Sequence, residues 1–327
     1  MRPFRLTPLR IAIAGAGLAV LAALLWFALL TGGKRDGRLM VIITPSLENP
    51  FFAQEAIAAA QAAQALGYRT QTYSHGDDAF RQSQLIDSAI ARDASAIVLD
   101  NAGADATAAA VMKAKAAGVP AFLLDREITS RGGAVAQVVS NNFQGATLGG
   151  AAFAEALRGR GAYAELVGRE SDTNAGIRSK GYHAVLDRYA GLRMVSRQSA
   201  NWDQAQAFAV TQSILQAHPE VKGIIAGNDT MALGAVAALA GAGRQDVVVV
   251  GFDGSNDARD AILNGSLYAT VLQPAHRQAQ YVVRLADRYL RTGRTGEREK
   301  QLMECVLVTR ANAGRLDRFA LAQGGTE

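Results

Sequence analysis

From Leu39 to Val308 the chain alternates short apolar runs with alanine-rich helical stretches, and this alternation restricts the fold more than any other feature. A strand that is apolar throughout has to be covered on both faces, so repeated strand–helix units predict parallel sheets clothed by helices. Strands are expected over Leu39–Thr44, Tyr68–Tyr73, Ala96–Leu99, the run ending at Leu124, and Val135–Val139. The first helix reaches Leu66, and two more cover Ala79–Arg92 and Ala104–Ala117. Gly67 and Gly118 follow two of these helices, where a left-handed cap suits glycine.

Near Ser140-Asn141-Asn142 the pattern restarts. The second set has strands over Ala162–Val167, Leu192–Ser196, Val221–Ala226, Asp246–Val250 and Leu267–Leu272. Its helices are Gln144–Arg158, Ala175–Tyr189, Gln204–Ala217, Met231–Leu239, one ending at Leu263, and Ala275–Leu290. Leu302–Val308 reads as one last strand before a polar tail. Each set is the size of one α/β domain, and no Gly-, Ser- or Pro-rich linker separates them. The fold class that follows is α/β, with two doubly wound parallel-sheet lobes joined by a hinge over a cleft.

The N-terminus is different. Ile11 to Thr31 runs for 21 residues without a charge, long enough to cross a bilayer as a helix. Arg2, Arg5 and Arg10 precede it, which keeps the start in the cytoplasm and exports the remainder to the periplasm. Residues 1–38 are therefore read as a signal peptide or an uncleaved inner-membrane anchor. The apolar run is long for a signal peptide and ends without a clean cleavage site, which favours the anchor.

Charge bears on partners. The formal net charge is +5, but residues 1–38 hold six bases against Asp36 alone. Taking those away from the 34 bases and 29 acids of the chain leaves 28 of each. The folded part thus has no net basic field, which argues against nucleic acid as a partner. Cys305 is the only cysteine, so no intramolecular disulfide and no thiolate metal cluster is possible. His75, His183, His218 and His276 are scattered, with no His-x-x-x-His spacing. No metal or cofactor is expected.

Several strands end in polar residues. Val119–Arg126 is five apolar-suited residues stopped by a carboxylate and a guanidinium, and the C-terminal ends of parallel strands face the ligand crevice. Asn49, Asn101, Asn228, Asp253 and Gln273 close or follow other strands, while Phe51, Phe52 and Trp202 supply flat apolar faces. Fixed amides, acids and a guanidinium beside aromatic plates suit a sugar, whose hydroxyls both donate and accept while its C–H faces stack.

In order and at suitable spacing, six segments carry a resemblance. They are Asn49-Pro50-Phe51-Phe52, Leu124-Asp125-Arg126, Arg178-Ser179-Lys180-Gly181-Tyr182, Trp202-Asp203, Asn228-Asp229-Thr230-Met231-Ala232-Leu233-Gly234 and Val250-Gly251-Phe252-Asp253-Gly254. Over nearly all of residues 39–310 the chain resembles the periplasmic sugar-binding proteins of the ribose-binding type. These share their type I periplasmic binding protein fold with the effector domains of lactose-repressor-like regulators.

The resemblance implies that Asn49, Asp125, Arg126, Arg178, Asn228, Asp253 and Gln273 hydrogen-bond a monosaccharide, with Asn101 a further polar position. It implies that Phe51, Phe52 and Trp202 stack on the ring; Trp202 replaces a smaller aromatic, so ribose itself is not guaranteed. It also implies three crossings between lobes, giving 39–140 with 274–302 as the first lobe and 141–273 with 303–327 as the second. The implied function is capture of a ribose-like sugar by a monomer for an ABC-type permease, or alternatively for a membrane sensor.

A regulator would need a DNA-binding helix pair before Leu39, where the apolar segment stands instead. Asp125 with Asp253 invites a glycosidase reading, but neighbours such as Arg126 are expected to keep both ionised, whereas one must act as an acid. The chain is therefore read as a receptor and not an enzyme.

Overall fold

A computed structural model describes residues 38–322. The apolar segment over 11–31, with its export and anchoring readings, lies outside them, as do residues 323–327. Among the described residues no helix is long and apolar enough to cross a membrane.

The first set of elements is β1 (Leu39–Thr44), α1 (Pro50–Ala65), β2 (Arg69–Ser74), α2 (Ala79–Ala91), β3 (Ala96–Leu99), α3 (Ala104–Ala116), β4 (Ala121–Leu124) and β5 (Ala136–Ser140). The second is α4 (Asn142–Ala156), β6 (Arg160–Val167), α5 (Thr173–Leu186), β7 (Gly191–Ser199), α6 (Gln204–Ala217), β8 (Val221–Ala226), α7 (Asp229–Gly241), β9 (Val248–Val250), α8 (Asn256–Asn264) and β10 (Ala269–Leu272). Then follow α9 (Ala275–Thr292), β11 (Lys300–Met303), β12 (Val306–Thr309) and a short hairpin of β13 (Leu316–Asp317) and β14 (Ala320–Leu321).

Two six-stranded sheets result, in the orders β11-β5-β4-β3-β1-β2 and β12-β10-β9-β8-β6-β7. All neighbours are parallel except β12, which runs antiparallel to β10. Strand alternation divides the apolar residues between two faces. In β1, Met40 and Ile42 join a core with Val282 and Val283 of α9, whereas Val41 and Ile43 join one with Ile86 of α2 and Val111 of α3. The second sheet is likewise covered by α4 and α5 on one face and by α6, α7 and α8 on the other. Helices approach closely where a glycine allows it. A Cβ on Gly181 of α5 would lie 2.5 Å from the Ala146 methyl of α4.

The run Leu302–Val308, expected as one strand, is two. β11 ends at Met303 in the first sheet and β12 begins at Val306 in the second, with Glu304-Cys305 crossing between them. A second crossing, at Asn141, lies alongside. Asn141 N–H donates to Met303 O at 2.7 Å, and the Gln144 amide exchanges hydrogen bonds with the backbone of Cys305 at 3.0 and 3.2 Å. The third crossing is at Gln273-Pro274, between β10 and α9. Cys305 is buried in the crossing and not in a strand.

The expected polar tail also folds. Ala313, Leu316 and Phe319 are buried, and the last two belong to the β13–β14 hairpin region.

Candidate functional site

The carboxyl ends of both sheets face one another across a small cavity between the lobes. Its wall consists of Asn49, Phe51, Phe52, Asp125, Arg126, Asp172, Arg178, Trp202, Asn228, Asp253 and Gln273. A larger groove on the second lobe, lined by Leu239, Val247, Ile262 and Tyr268 among others, lies away from these strand ends and has no comparable convergence of buried polar groups.

Several wall residues do two jobs, because a strand end is also a helix start. Asn49 Oδ1 accepts from Phe51 N–H at 3.0 Å and Asn228 Oδ1 from Met231 N–H at 2.9 Å, capping α1 and α7. The side-chain amide NH2 of each remains as the donor group. Asp172 caps α5 by accepting from Asn174 N–H at 2.9 Å, and its other oxygen lies 2.9 Å from Arg126 Nε. Asp125, Trp202 and Asp253 have φ of 57°, 66° and 124°, uncommon for residues with side chains. Such strain gathers at sites where the surroundings over-determine the backbone.

Arg126 is fully buried. Nη1 donates to Asp77 Oδ1 at 2.6 Å and to Asn101 O at 3.0 Å, and the guanidinium lies 4.9 Å from the centre of the Phe52 ring. Arg178 is its counterpart in the second lobe. Its Nε donates to Asn142 Oδ1 and its Nη1 to Gly227 O, both at 2.8 Å, with Asp253 Oδ1 at 3.4 Å. The guanidinium carbon lies 4.0 Å from the ring centre of Phe252 and 5.3 Å from that of Trp202. Gln273 Nε2 donates to Asp253 Oδ1 at 2.8 Å.

The lobes touch across the cavity. Besides Arg126–Asp172, Asn174 Nδ2 lies 3.4 Å from Asp125 Oδ2, and Ala104 N–H donates to Ser171 O at 3.1 Å. The cleft is closed.

Five wall atoms are buried without a hydrogen-bond partner, and since Arg126 Nε has Asp172 as its ionic partner, four are left wholly unmet: Asp125 Oδ1, Arg126 Nη2, Trp202 Nε1 and Gln273 Oε1. Two accept and two donate, and each unmet buried group costs about 1–3 kcal/mol. A compact polyhydroxyl molecule supplies what they lack.

Burial corrects one expectation. It pushes the Asp125 carboxyl up to about 6 despite the opposing pull of Arg178 and Arg126, with Asp172 adding to the rise. Asp253 is likewise raised well above the ordinary range by burial, against Arg178. The arginines therefore do not hold both acids ionised in the closed cleft, and that part of the case against an enzyme falls. Behind Arg126, burial also pushes Glu55 and Asp100 well up, with Asp125 adding to the rise of both.

Ten of the eleven residues expected at the site line this cavity. Asn101 does not: its Nδ2 donates to the backbone of Arg126 at 2.7 Å and Glu127 at 3.2 Å, and its Oδ1 accepts from Gly103 N–H. It braces the Asp125-Arg126 turn. Asp172 was not anticipated, although a carboxylate opening a helix just after a strand was a readable signal.

A family profile described as a periplasmic binding protein domain matches residues 40–295. The chain is 60% identical over 304 residues to the D-apiose import binding protein of Paraburkholderia graminis, covering 93% of this chain and 97% of that one. It is 30% identical over 252 residues to the ribose import binding protein of Salmonella typhimurium, covering 77% and 84%. Among solved structures it is similar to an ABC transporter periplasmic solute binding protein from Actinobacillus succinogenes with bound D-allose. That match has TM-score 0.79 and 27% identity, and covers 85% of this chain and 99% of that one.

Proposed function

We propose, from the premise that this chain belongs to the periplasmic binding protein family, that it captures D-apiose between its lobes and presents the closed complex to an ABC sugar importer. The observation that carries the reading is the set of four unmet polar atoms on the wall of the small cavity between the lobes. Apiose is a branched pentose that closes only as a five-membered ring, and its crowded hydroxyls offer donors and acceptors in several directions. Asp125 Oδ1 and Gln273 Oε1 accept from them, Arg126 Nη2 and Trp202 Nε1 donate to them, and Phe51, Phe52 and Trp202 cover the C–H faces. The relative's 60% identity over nearly both whole chains supports the choice of sugar.

The chain works as a receptor with no hydrolytic step, in the periplasm, as a monomer. Residues 39–140 with 274–302, and 141–273 with 303–322, move as bodies. An intact-mass measurement of the exported protein distinguishes an anchored chain that keeps residues 11–31 from a cleaved one.

Calorimetric titration tests the sugar. D-apiose is expected to bind at least ~100-fold more tightly than 2-deoxyribose, which lacks the 2-hydroxyl as a partner for these groups. Equal affinities, or no binding of D-apiose, sink the assignment.

The raised carboxyls make closure without sugar costly. Opening returns Asp125 to water and its ordinary value of 3.8, whereas closing without sugar lifts it to about 6. The sign follows from linkage. The cost of empty closure is absent below the ordinary value, grows between the two and is fully imposed above about pH 6. A sugar hydroxyl donating to the carboxylate removes that cost at neutral pH. On going from about pH 7.5 to about pH 5, the sugar-free protein is expected to become more compact by X-ray scattering while D-apiose affinity falls. A radius of gyration independent of pH contradicts this.

Gly168 fixes where Trp202 lies. A Cβ there would come within 2.0 Å of the indole carbon Cζ2. Gly168→Ala is expected to displace the ring and weaken D-apiose by roughly tenfold or more, since the ring gives up both stacking area and its N–H. The comparison of Kd with that of the parent protein reads this directly.

A further inference from the structure

Phe51, on the cavity wall, is backed by a residue from the far end of the chain. The rings of Phe51 and Phe319 meet edge to face, 5.5 Å apart at 84°. Phe319 is buried. It belongs to the second lobe by its anchorage. Its hairpin is tied to α8, where Arg318 N–H donates to Asn256 Oδ1 at 2.9 Å, Asn256 Nδ2 donates to Asp317 Oδ1 at 3.1 Å, and Arg259 Nη1 donates to Leu316 O at 3.1 Å. Phe51 belongs to α1 of the first lobe.

The turn that carries the ring is an unusual one. Arg318 and Phe319 are the two residues between the paired strands, with φ of 46° and 56°. A two-residue hairpin loop with both φ positive strongly prefers Asn-Gly. A bulky aromatic in that conformation is strained, and what offsets the strain here is burial against Phe51.

We propose that Phe319 is a positioning residue for the cleft. Carried by the second lobe, it sets the Phe51 ring in the wall when the lobes meet, and it gives the closed form a contact that is lost when they part. It thereby favours closure with or without sugar. The inference rests on the two-lobe capture described above but not on which sugar is captured.

The test uses Phe319→Gly, which suits the left-handed turn and so preserves the hairpin, together with Phe51→Ala and the double variant. Phe319→Gly is expected to weaken D-apiose roughly five- to thirtyfold. The double variant is expected to bind little worse than Phe51→Ala alone, because the two rings act through each other. In the absence of sugar, Phe319→Gly should have a larger radius of gyration than the parent protein at the same pH. Additive losses, or an unchanged affinity and radius, overturn the proposal. Should D-apiose bind none of the four proteins, the choice of sugar fails, while the sugar-free radii still decide the role of Phe319.

Discussion

Arg126→Met is expected to remove about 3–5 kcal/mol of stability, because it deletes one partner of a buried ionic cluster and leaves the others in place. Asp77, Asp100 and Asp172 all lie within 4 Å of the guanidinium, and Asp100 and Asp172 are themselves buried. Methionine fills much of the volume but neutralises none of the charge. Scanning calorimetry should show a fall in Tm of the order of 10 °C. The deficit has a sign in pH. Asp100, already raised by burial, is pushed up further once the arginine is gone, and Asp77 loses the charge that holds it low, so the folded state binds protons that the unfolded chain has released. The penalty is therefore largest at neutral pH and shrinks as pH falls towards the ordinary carboxylate range. A Tm within about 2 °C of the parent protein's would show that the cluster relaxes into water instead.

Arg178→Met is the complementary experiment, with the larger effect on binding. The guanidinium is packed between the Phe252 and Trp202 rings and holds Asn142, the Gly227 carbonyl and Asp253 at once. Without it, burial acts on Asp253 with the Gln273 hydrogen bond still opposing, and the acid is pushed up further, which weakens it as a charged acceptor. Losing a charged hydrogen bond costs about 1.5–3 kcal/mol, and the unpaired acceptors add to it. D-apiose affinity should fall more than ~100-fold in calorimetric titration. A change below about fivefold would mean that Arg178 only supports the lobe.

Most of the architecture was legible because apolar strand runs and helical stretches alternate with capping residues between them. The Leu302–Val308 run shows where this reading stops. Hydropathy marks both halves as strand, but only tertiary structure assigns Leu302 to one sheet and Val308 to the other. The tail was missed for a related reason. Leu316 and Phe319 flank no Asn-Gly or Asp-Gly turn, so nothing local announces the hairpin.

At the site, residue identity was readable and protonation was not. That Asp125 and Arg126 end a strand follows from sequence; that burial outweighs the arginines depends on how completely two distant segments exclude water. Asn101 and Asp172 exchanged roles by the same logic. Both are polar residues after strands, and only the fold shows that Asn101 turns back onto backbone carbonyls while Asp172 reaches the opposite lobe.

The two crossings at Asn141 and Glu304-Cys305 are stitched to each other by hydrogen bonds. Two cords can twist independently, but two cords sewn edge to edge make a ribbon, which flexes across its flat side and resists twisting and sliding. The lobes are then left with essentially one way to travel. A membrane partner touching the rim of each lobe needs only the gap between two points to tell a filled receptor from an empty one.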